Sequence, residues 1–235
     1  MRSALSTELE ASLLRRVFRR AVHFFAYHLV MRRRTVWRTQ AAGLRLAVYP
    51  TVFHPGYFMS SDRFAGFISG LDLRGKIVVD VGAGTGILAI AAARGGSEAV
   101  IATDINPNAV RSVPENARAN SVGAQVTAVC MDLLSGFARR PLFDVIVANL
   151  PKHSNEPRDL ADRGWHSGPR HRNIHPLFEQ AYERLKPGGC LYVMFSSHSE
   201  LNIIEALITG AGFQCRIIRR YPIFVESFVL YECIR

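Results

Sequence analysis

Short apolar runs alternate with helical patterns from residue 76 onward, and this alternation restricts the possible fold more than any other feature. The runs are rich in β-branched residues, and most of the intervals between them have helical periodicity. Strands that alternate with helices form a parallel sheet with helices on both faces. The sequence therefore predicts a doubly wound α/β fold. The first five runs span residues 76–81, 99–104, 124–130, 143–149 and 190–196.

The last two apolar runs lie close together in the chain. They span residues 213–220 and 223–234, and only Tyr221 and Pro222 separate them. A link of two residues is too short for a crossover helix, so the final strand must run antiparallel to its neighbour. The expected sheet therefore has seven strands, mostly parallel, with an antiparallel last strand.

The first 45 residues carry most of the net charge. Ten arginines against two glutamates give residues 1–45 a charge of +8, which leaves +2 of the total +10 for the other 190 residues. Between residues 11 and 30, apolar side chains recur at three- and four-residue spacing with arginines on the other side, which predicts an amphipathic helix. We therefore divide the chain into a basic helical N-terminal extension, residues 1–45, and an α/β domain, residues 46–235.

Several roles are open to this basic helix. Its apolar face could pack on the α/β domain and leave the arginines solvated, or the arginines could bind an RNA or protein substrate. Attachment to a membrane surface and an arginine-rich transit segment are further alternatives.

Composition sets wider limits on the class of protein. A hydrophobic content of 49% supports a large core, and no apolar run reaches about 18 residues, so no transmembrane segment is expected. The histidines show no H-E-x-x-H motif, and no metal site is expected. The scattered cysteines are predicted to be reduced core residues of a cytoplasmic protein. These cysteines are Cys130, Cys190, Cys215 and Cys233.

The stretch VVDVGAGTG, residues 78–86, places three glycines at a turn from strand to helix. Glycines allow a tight turn and let a ligand approach the backbone, at the sheet edge where such folds bind nucleotides. A dinucleotide fingerprint requires its third glycine at position 87, where Ile87 stands, so the spacing argues against NAD. The stretch instead predicts a different nucleotide-type ligand, with Asp80 two residues before Gly82.

This stretch resembles the first motif, [DE]-x-G-x-G-x-G, of the class I S-adenosylmethionine (SAM)-dependent methyltransferases. The resemblance extends over residues 48–235 and implies a Rossmann-like sheet, SAM as the cofactor and S-adenosylhomocysteine (SAH) as the product. It also implies that Asp80 places the methionine end, Asp104 binds the ribose hydroxyls and Asp132 meets the adenine amino group. The other cofactor contacts expected are Gly82, Ala83, Gly84, Gly86, Ile105, Leu133 and Asn149.

The stretch FDVIVANLPKH, residues 143–153, is an apolar run that ends abruptly at Asn149. An asparagine oxygen and a neighbouring backbone carbonyl can accept the hydrogens of an amino or amide nitrogen and aim its lone pair at a methyl group. Asn149 and the carbonyl of Leu150 suit that task, and Pro151 fixes the chain. His153 is the predicted proton acceptor, because it is the nearest group that titrates around neutral pH.

NLPK, residues 149–152, resembles a degenerate [ND]-P-P-[FYW] motif of methyltransferases that act on nitrogen, including HemK-type glutamine enzymes, DNA adenine enzymes and "small" ribosomal guanine enzymes. Leu150 replaces the first proline, and Lys152 stands where an aromatic ring would stack on a planar substrate. Residues 48–62 resemble the segment before the sheet in that group, which implies that Tyr57, Ser60 and Ser61 line the cleft. Asn149 as a strand-end cap is the structural alternative.

The segment from residue 152 to residue 175 is predicted to be a substrate loop. It carries five cations, three acids and four histidines, which makes it too polar for a core and too long for an ordinary connection. Lys152 either contacts an acidic substrate group or is solvated, and Trp165 either stacks on the substrate or anchors the loop. The predicted substrate residues are Tyr57, Ser60, Ser61, Lys152, Trp165 and His166.

Three functions follow from these features. The leading hypothesis is a SAM-dependent methyltransferase that acts on an amino or amide nitrogen of an RNA, a protein or a metabolite. A small-molecule N- or O-methyltransferase is the first alternative. The second is a SAM-fold nucleic-acid-binding protein without catalysis, and the oligomeric state stays open.

Overall fold

A computed structural model describes residues 27, 33–55, 59–197, 199–223 and 227–235. The amphipathic helix predicted at residues 11–30 lies outside these residues, apart from Tyr27, and Tyr57 also lies outside them. Among the described residues, no helix is both long enough and apolar enough to cross a lipid bilayer.

A twisted seven-stranded sheet forms the centre of the molecule, in the order β5-β4-β3-β6-β7-β9-β8. In this order, the strands from β5 to β7 run parallel, whereas β9 is antiparallel to both β7 and β8. The predicted fold class is therefore confirmed. In chain order the strands are β1 (Trp37–Ala41), β2 (Leu44–Val48), β3 (Ile77–Val81), β4 (Ala99–Asp104), β5 (Val126–Cys130), β6 (Phe143–Asn149), β7 (Leu185–Ser196), β8 (Gln214–Pro222) and β9 (Ser227–Ile234).

In the described part of the chain, five α-helices pack on the two faces of this sheet. Successive side chains of a strand point to opposite faces, so Val78 packs with the first three helices and Val79 packs with the last two. Both faces of the central strands are buried, which explains why β3 and β6 read as continuous apolar runs, whereas the edge strand β8 is largely exposed. The helices are α1 (Met59–Ser69), α2 (Ile87–Arg94), α3 (Pro107–Ala119), α4 (His175–Arg184) and α5 (Leu201–Gly210).

The link between the last two strands differs from the prediction. Strand β8 continues through Tyr221 and Pro222, and β9 begins only at Ser227. The link predicted at Tyr221 and Pro222 is therefore wrong, because both residues belong to β8. The sequence IFVE, residues 223–226, contains no glycine, proline or asparagine that would have signalled a later strand end.

A β-hairpin of β1 and β2 packs against α3 before the sheet begins. The Asn116 side chain of α3 accepts from the backbone N–H of Ala47 (2.7 Å) and donates to its carbonyl (2.9 Å). Asn120 makes the same pair of bonds to Arg45 (3.1 and 2.7 Å). These side chains satisfy the outer edge of β2. The predicted boundary between residues 45 and 46 consequently falls inside a strand.

The prediction that all four cysteines are reduced core residues is wrong. Cys215 and Cys233 form a disulfide bond, because β8 and β9 place them directly opposite each other with their Cα atoms 4.1 Å apart. Cys130 is an exposed free thiol, and Cys190 is free and half-buried. Spacing along the chain could not show that a hairpin would bring two of them together.

Candidate functional site

The glycine-rich turn between β3 and α2 forms the floor of a cleft at the carboxyl ends of the parallel strands. Gly82, Gly84 and Gly86 have φ values of 70°, 56° and 78°, which side chains with a Cβ rarely adopt. A Cβ at Gly86 would lie 3.1 Å from the Val113 side chain, whereas a Cβ at Gly82 would contact nothing. The turn therefore leaves open space above Gly82, whereas a Cβ at Gly84 would contact the Val52 side chain at 4.0 Å.

Asp80 lies at the end of β3 and is almost fully buried. One carboxylate oxygen, Oδ2, accepts the backbone N–H of Ala89 (2.9 Å) at the start of α2, whereas Oδ1 is buried without a hydrogen-bond partner among the described residues. Burial raises the pKa of Asp80 to about 7; the Ala89 bond lowers it and the nearby Asp104 charge raises it. An unpaired buried oxygen in this position fits a ligand that carries positive charge or N–H donors.

Asp104 ends β4 and connects two backbone turns of the cleft. Its carboxylate accepts from the N–H groups of Gly84 and Asn106, both at 2.8 Å. Burial raises the pKa of Asp104, and these two hydrogen bonds offset part of that rise. Each oxygen keeps a lone pair, so the carboxylate can accept hydroxyl hydrogens of a ligand as well.

The third acid, Asp132, follows β5 and is exposed at the rim of the cleft. Leu133, with φ of 52°, and Ile105 line the same part of the wall. The structure therefore brings together every predicted cofactor residue except Gly86 as lining of one cleft. Those lining residues are Asp80, Gly82, Ala83, Gly84, Asp104, Ile105, Asp132, Leu133 and Asn149.

Asn149 ends β6 at the middle of this cleft. Its Nδ2 donates to Ser61 Oγ at 3.0 Å and lies 3.5 Å from Ser60 Oγ, and both serines belong to the first turn of α1. These bonds orient the amide, and its Oδ1 is buried without a hydrogen-bond partner among the described residues. Leu150 and Pro151 line the cleft beside it. The arrangement holds a carbonyl-type acceptor ready for an N–H donor.

Lys152 occupies the position at which an aromatic ring was expected. Its ammonium donates to Ser60 Oγ (3.1 Å) and lies 3.9 Å from the centre of the Phe228 ring. The Lys152 carbonyl accepts from Ser199 Oγ at 2.9 Å. These contacts place Lys152 in the wall of the cleft rather than in free solvent, and its contact with a substrate group stays a prediction.

His153, Trp165 and His166 form the outer wall. The rings of His153 and Trp165 stack with their centres 5.7 Å apart, and Phe53 packs against the other side of Trp165 at 5.8 Å. Backbone hydrogen bonds join His153 to Trp165 and to Ser167. Trp165 therefore packs within the loop and lines the cleft, and stacking on a substrate stays a prediction.

An ion pair between Arg158 and Asp162 lies next to this outer wall. Arg158 donates from Nε to Oδ2 of Asp162 (3.0 Å) and from Nη2 to Oδ1 (3.2 Å), and His166 Nε2 lies 3.8 Å from Asp162 Oδ1. Burial would raise the pKa of Asp162, but the hydrogen bonds from Arg158 lower it below its ordinary value. Tyr27 donates its hydroxyl to Asp159 (2.6 Å), and the Arg158 guanidinium stacks 3.6 Å above its ring.

Several lining residues were not expected from the sequence. Asn106 caps α3 and bonds to Thr51, a motif that the sequence Asn-Pro at residues 106–107 could have revealed. No local signal pointed to Phe53 or Arg163, which reach the cleft only through the folding of distant segments. His171 and His175 stand four residues apart, but they bond to Ser167 and to the Arg170 carbonyl, and the described residues contain no metal-binding cluster.

The chain is similar to known methyltransferases. Residues 66–152 match the model of the ribosomal protein L11 methyltransferase (PrmA) family. A relative from Methanocaldococcus jannaschii, named "Putative protein N5-glutamine methyltransferase", is 28% identical over 200 residues, which cover 82% of this chain and 96% of that protein. The chain also matches curated L11 methyltransferases, but it spans only about a quarter of their length.

The chain is also similar to solved methyltransferase structures. The ribosomal protein L11 methylase of Lactobacillus delbrueckii subsp. bulgaricus is 25% identical, with a TM-score of 0.56 over 77% of this chain and 80% of that one. A "putative methyltransferase complexed with SAH" shares the fold, with a TM-score of 0.63 and 15% identity over 84% of this chain and 56% of that one.

The chain is a class I SAM-dependent methyltransferase. Its cleft fits SAM in three respects. The Asp80 oxygen that has no partner among the described residues suits a positively charged group, and the open space above Gly82 lets a ligand approach the backbone. The Asp104 carboxylate can accept from a pair of hydroxyls. SAM is therefore the cofactor, and the acids occupy the half of the cleft that would hold it.

Proposed function

We propose that this methyltransferase transfers the methyl group to a carboxamide nitrogen, of the glutamine side-chain type, in a protein substrate. The observation that carries the proposal is the buried Oδ1 of Asn149, which has no hydrogen-bond partner in the described part of the chain and belongs to an amide oriented by Ser60 and Ser61. The name of the Methanocaldococcus jannaschii relative, which matches most of this chain, supports the same acceptor.

Asn149 would act by orientation. An amide nitrogen shares its lone pair with the carbonyl, so its N–H groups must be held while the lone pair is turned toward the methyl carbon. The Asn149 oxygen and the Leu150 carbonyl would accept those hydrogens, and Pro151 would fix the backbone. When bound, SAM supplies an electrophilic methyl group on a sulfonium. His153, in the wall of the same cleft, would accept the released proton.

The proposal is tested by supplying labelled SAM to protein, RNA and small-molecule fractions of a cell extract. We expect label in the protein fraction, recovered after digestion as N-methylglutamine. Asn149→Ala should lower incorporation roughly hundredfold with SAM affinity, measured by calorimetry, changed less than about threefold. Asn155→Ala, at an exposed position of the same loop, is the matched control and should retain activity.

An RNA acceptor is the second candidate, because residues 1–45 carry a charge of +8 that would attract phosphates. Label in the RNA fraction that falls steeply with added salt would favour it. Label in the small-molecule fraction would instead favour a metabolite N- or O-methyltransferase. Binding of SAM without label in any fraction would favour a nucleic-acid-binding protein that has lost catalysis.

A further inference from the structure

The hydroxyl of Ser60 is held in one orientation by its neighbours. It accepts hydrogen bonds from Lys152 Nζ (3.1 Å) and from Asn149 Nδ2 (3.5 Å). A hydroxyl group has two lone pairs and one hydrogen, so both lone pairs are in use. Ser60 is fully buried and lines the cleft. Among the described residues, no acceptor takes its hydrogen, so this hydrogen can donate to a group bound in the cleft.

The ammonium of Lys152 lies beside this hydroxyl. The Phe228 ring and Ser60 fix its position, and the residue lines the same cleft. Among the described residues that line the cleft, the acids are Asp80, Asp104 and Asp132, which belong to the half that fits SAM. Positive charge and N–H or O–H donors thus characterise the half that borders Asn149.

A carboxamide matches this pattern of donors and acceptors. Its N–H would donate to Asn149 Oδ1, and its carbonyl oxygen, bonded to the same carbon as the nitrogen, would accept from Ser60 and Lys152. An amine has no such oxygen and would leave a buried hydroxyl donor unused, which is unfavourable. The wall is therefore complementary to the N–C=O unit rather than to nitrogen alone.

We propose that Lys152 and Ser60 bind the carbonyl oxygen of the acceptor amide and stabilise the negative charge that reaches this oxygen when the nitrogen loses a proton. This inference rests on the proposed function. The N–H proton passes to His153, the nitrogen electron pair forms the new N–CH₃ bond, the S–CH₃ bond breaks and its electron pair stays on sulfur as SAH. Donors fixed at an oxyanion act in the transition state, where one of them contributes roughly 10²–10³ in rate.

The test uses a synthetic peptide spanning the glutamine that the wild-type enzyme labels. Lys152→Met should lower kcat roughly hundredfold, while the Kd of the peptide for the SAH-bound protein changes less than about threefold. Lys152→Arg should restore part of kcat, because it returns the charge. Ser60→Ala should give a smaller loss, and Lys76→Met, at an exposed position before β3, should match wild type.

A pH profile separates this role from a purely structural one. Without the ammonium, the amide N–H is less acidic and its transfer to His153 becomes rate-limiting, so kcat of Lys152→Met should rise with pH more steeply than that of wild type. Thermal unfolding and SAM binding check that each variant is folded.

Unchanged kcat in Lys152→Met, or an equal loss at every pH, would overturn the inference and leave the proposed function standing. A wild-type enzyme that labels amines, or nothing, would overturn both.

Discussion

The two halves of the cleft are held together in different ways. In the half that fits SAM, Asp80 and Asp104 bind backbone N–H groups of adjacent turns, and each contact lies within 20 residues in the chain. In the acceptor half, Asn149 bonds to Ser61 across 88 residues and Lys152 bonds to Ser60 across 92. Tyr27 reaches Asp159 across 132 residues. Cofactor binding is therefore a local property of strand ends, whereas acceptor recognition depends on the assembly of distant segments.

The largest effect should come from breaking the cofactor half. Asp104→Ala removes two charge-assisted hydrogen bonds within the turns and the predicted ribose contact, each worth about 1.5–3 kcal/mol. We expect SAM affinity to fall at least a hundredfold in calorimetry, with the acceptor wall intact. Asp144→Ala, at the opposite end of the sheet beside Lys186, is the control, and an equal loss there would contradict the local origin of cofactor binding.

Asp162→Ala should weaken acceptor recognition without weakening SAM binding. The substitution removes both carboxylate oxygens that accept from Arg158 and the acid beside His166. The wall that carries Trp165 should therefore loosen. We expect the KM for the acceptor to rise about tenfold, as an anchoring contact of roughly 1–2 kcal/mol predicts, while SAM affinity stays unchanged. The KM of Asp162→Asn should lie between the values for wild type and Asp162→Ala. A parallel loss of SAM affinity would show that the two halves of the cleft are coupled.

The raised pKa of Asp80 sharpens the comparison through pH. With a pKa of about 7, Asp80 is about one-tenth ionised at pH 6 and mostly ionised at pH 8, so affinity for cationic SAM should rise about tenfold over this interval. The stability contribution has the opposite sign: because the folded-state pKa exceeds the unfolded value, stability without ligand should fall as pH rises from about 4 to 7. Asp80→Asn should flatten both curves, and its failure to do so would contradict the assignment.

The smallest effect should come from Tyr27→Phe, which removes one hydrogen bond to Asp159 and keeps the ring that Arg158 covers. A loss of about 1 kcal/mol should speed hydrogen exchange in residues 152–175 about fivefold and leave exchange around residues 82–86 unchanged. The measurement is hydrogen–deuterium exchange with mass spectrometry. Equal protection of the loop in both proteins would show that Tyr27 does not secure the wall.

Sequence patterns predicted the cofactor half well for a physical reason. Asp80, the glycines and Asp104 act through neighbours in the chain, so their spacing carries the information. The same reasoning identified Asn149 from the abrupt end of its apolar run and the two serines only through a resemblance, and it missed Phe53 and the pairing of Cys215 with Cys233. Those contacts arise where separate strands or loops meet, and no local pattern records them.

The hairpin of β1 and β2 has a consequence for dividing this protein into working parts. A fragment that begins at residue 46, where the sequence suggested a boundary, would lose Tyr27 and β1. It would also lose Arg45, whose backbone bonds to Asn120. It would retain every acid and glycine that fits SAM. Such a fragment would report on cofactor recognition alone and would be a poor starting point for redesigning the acceptor.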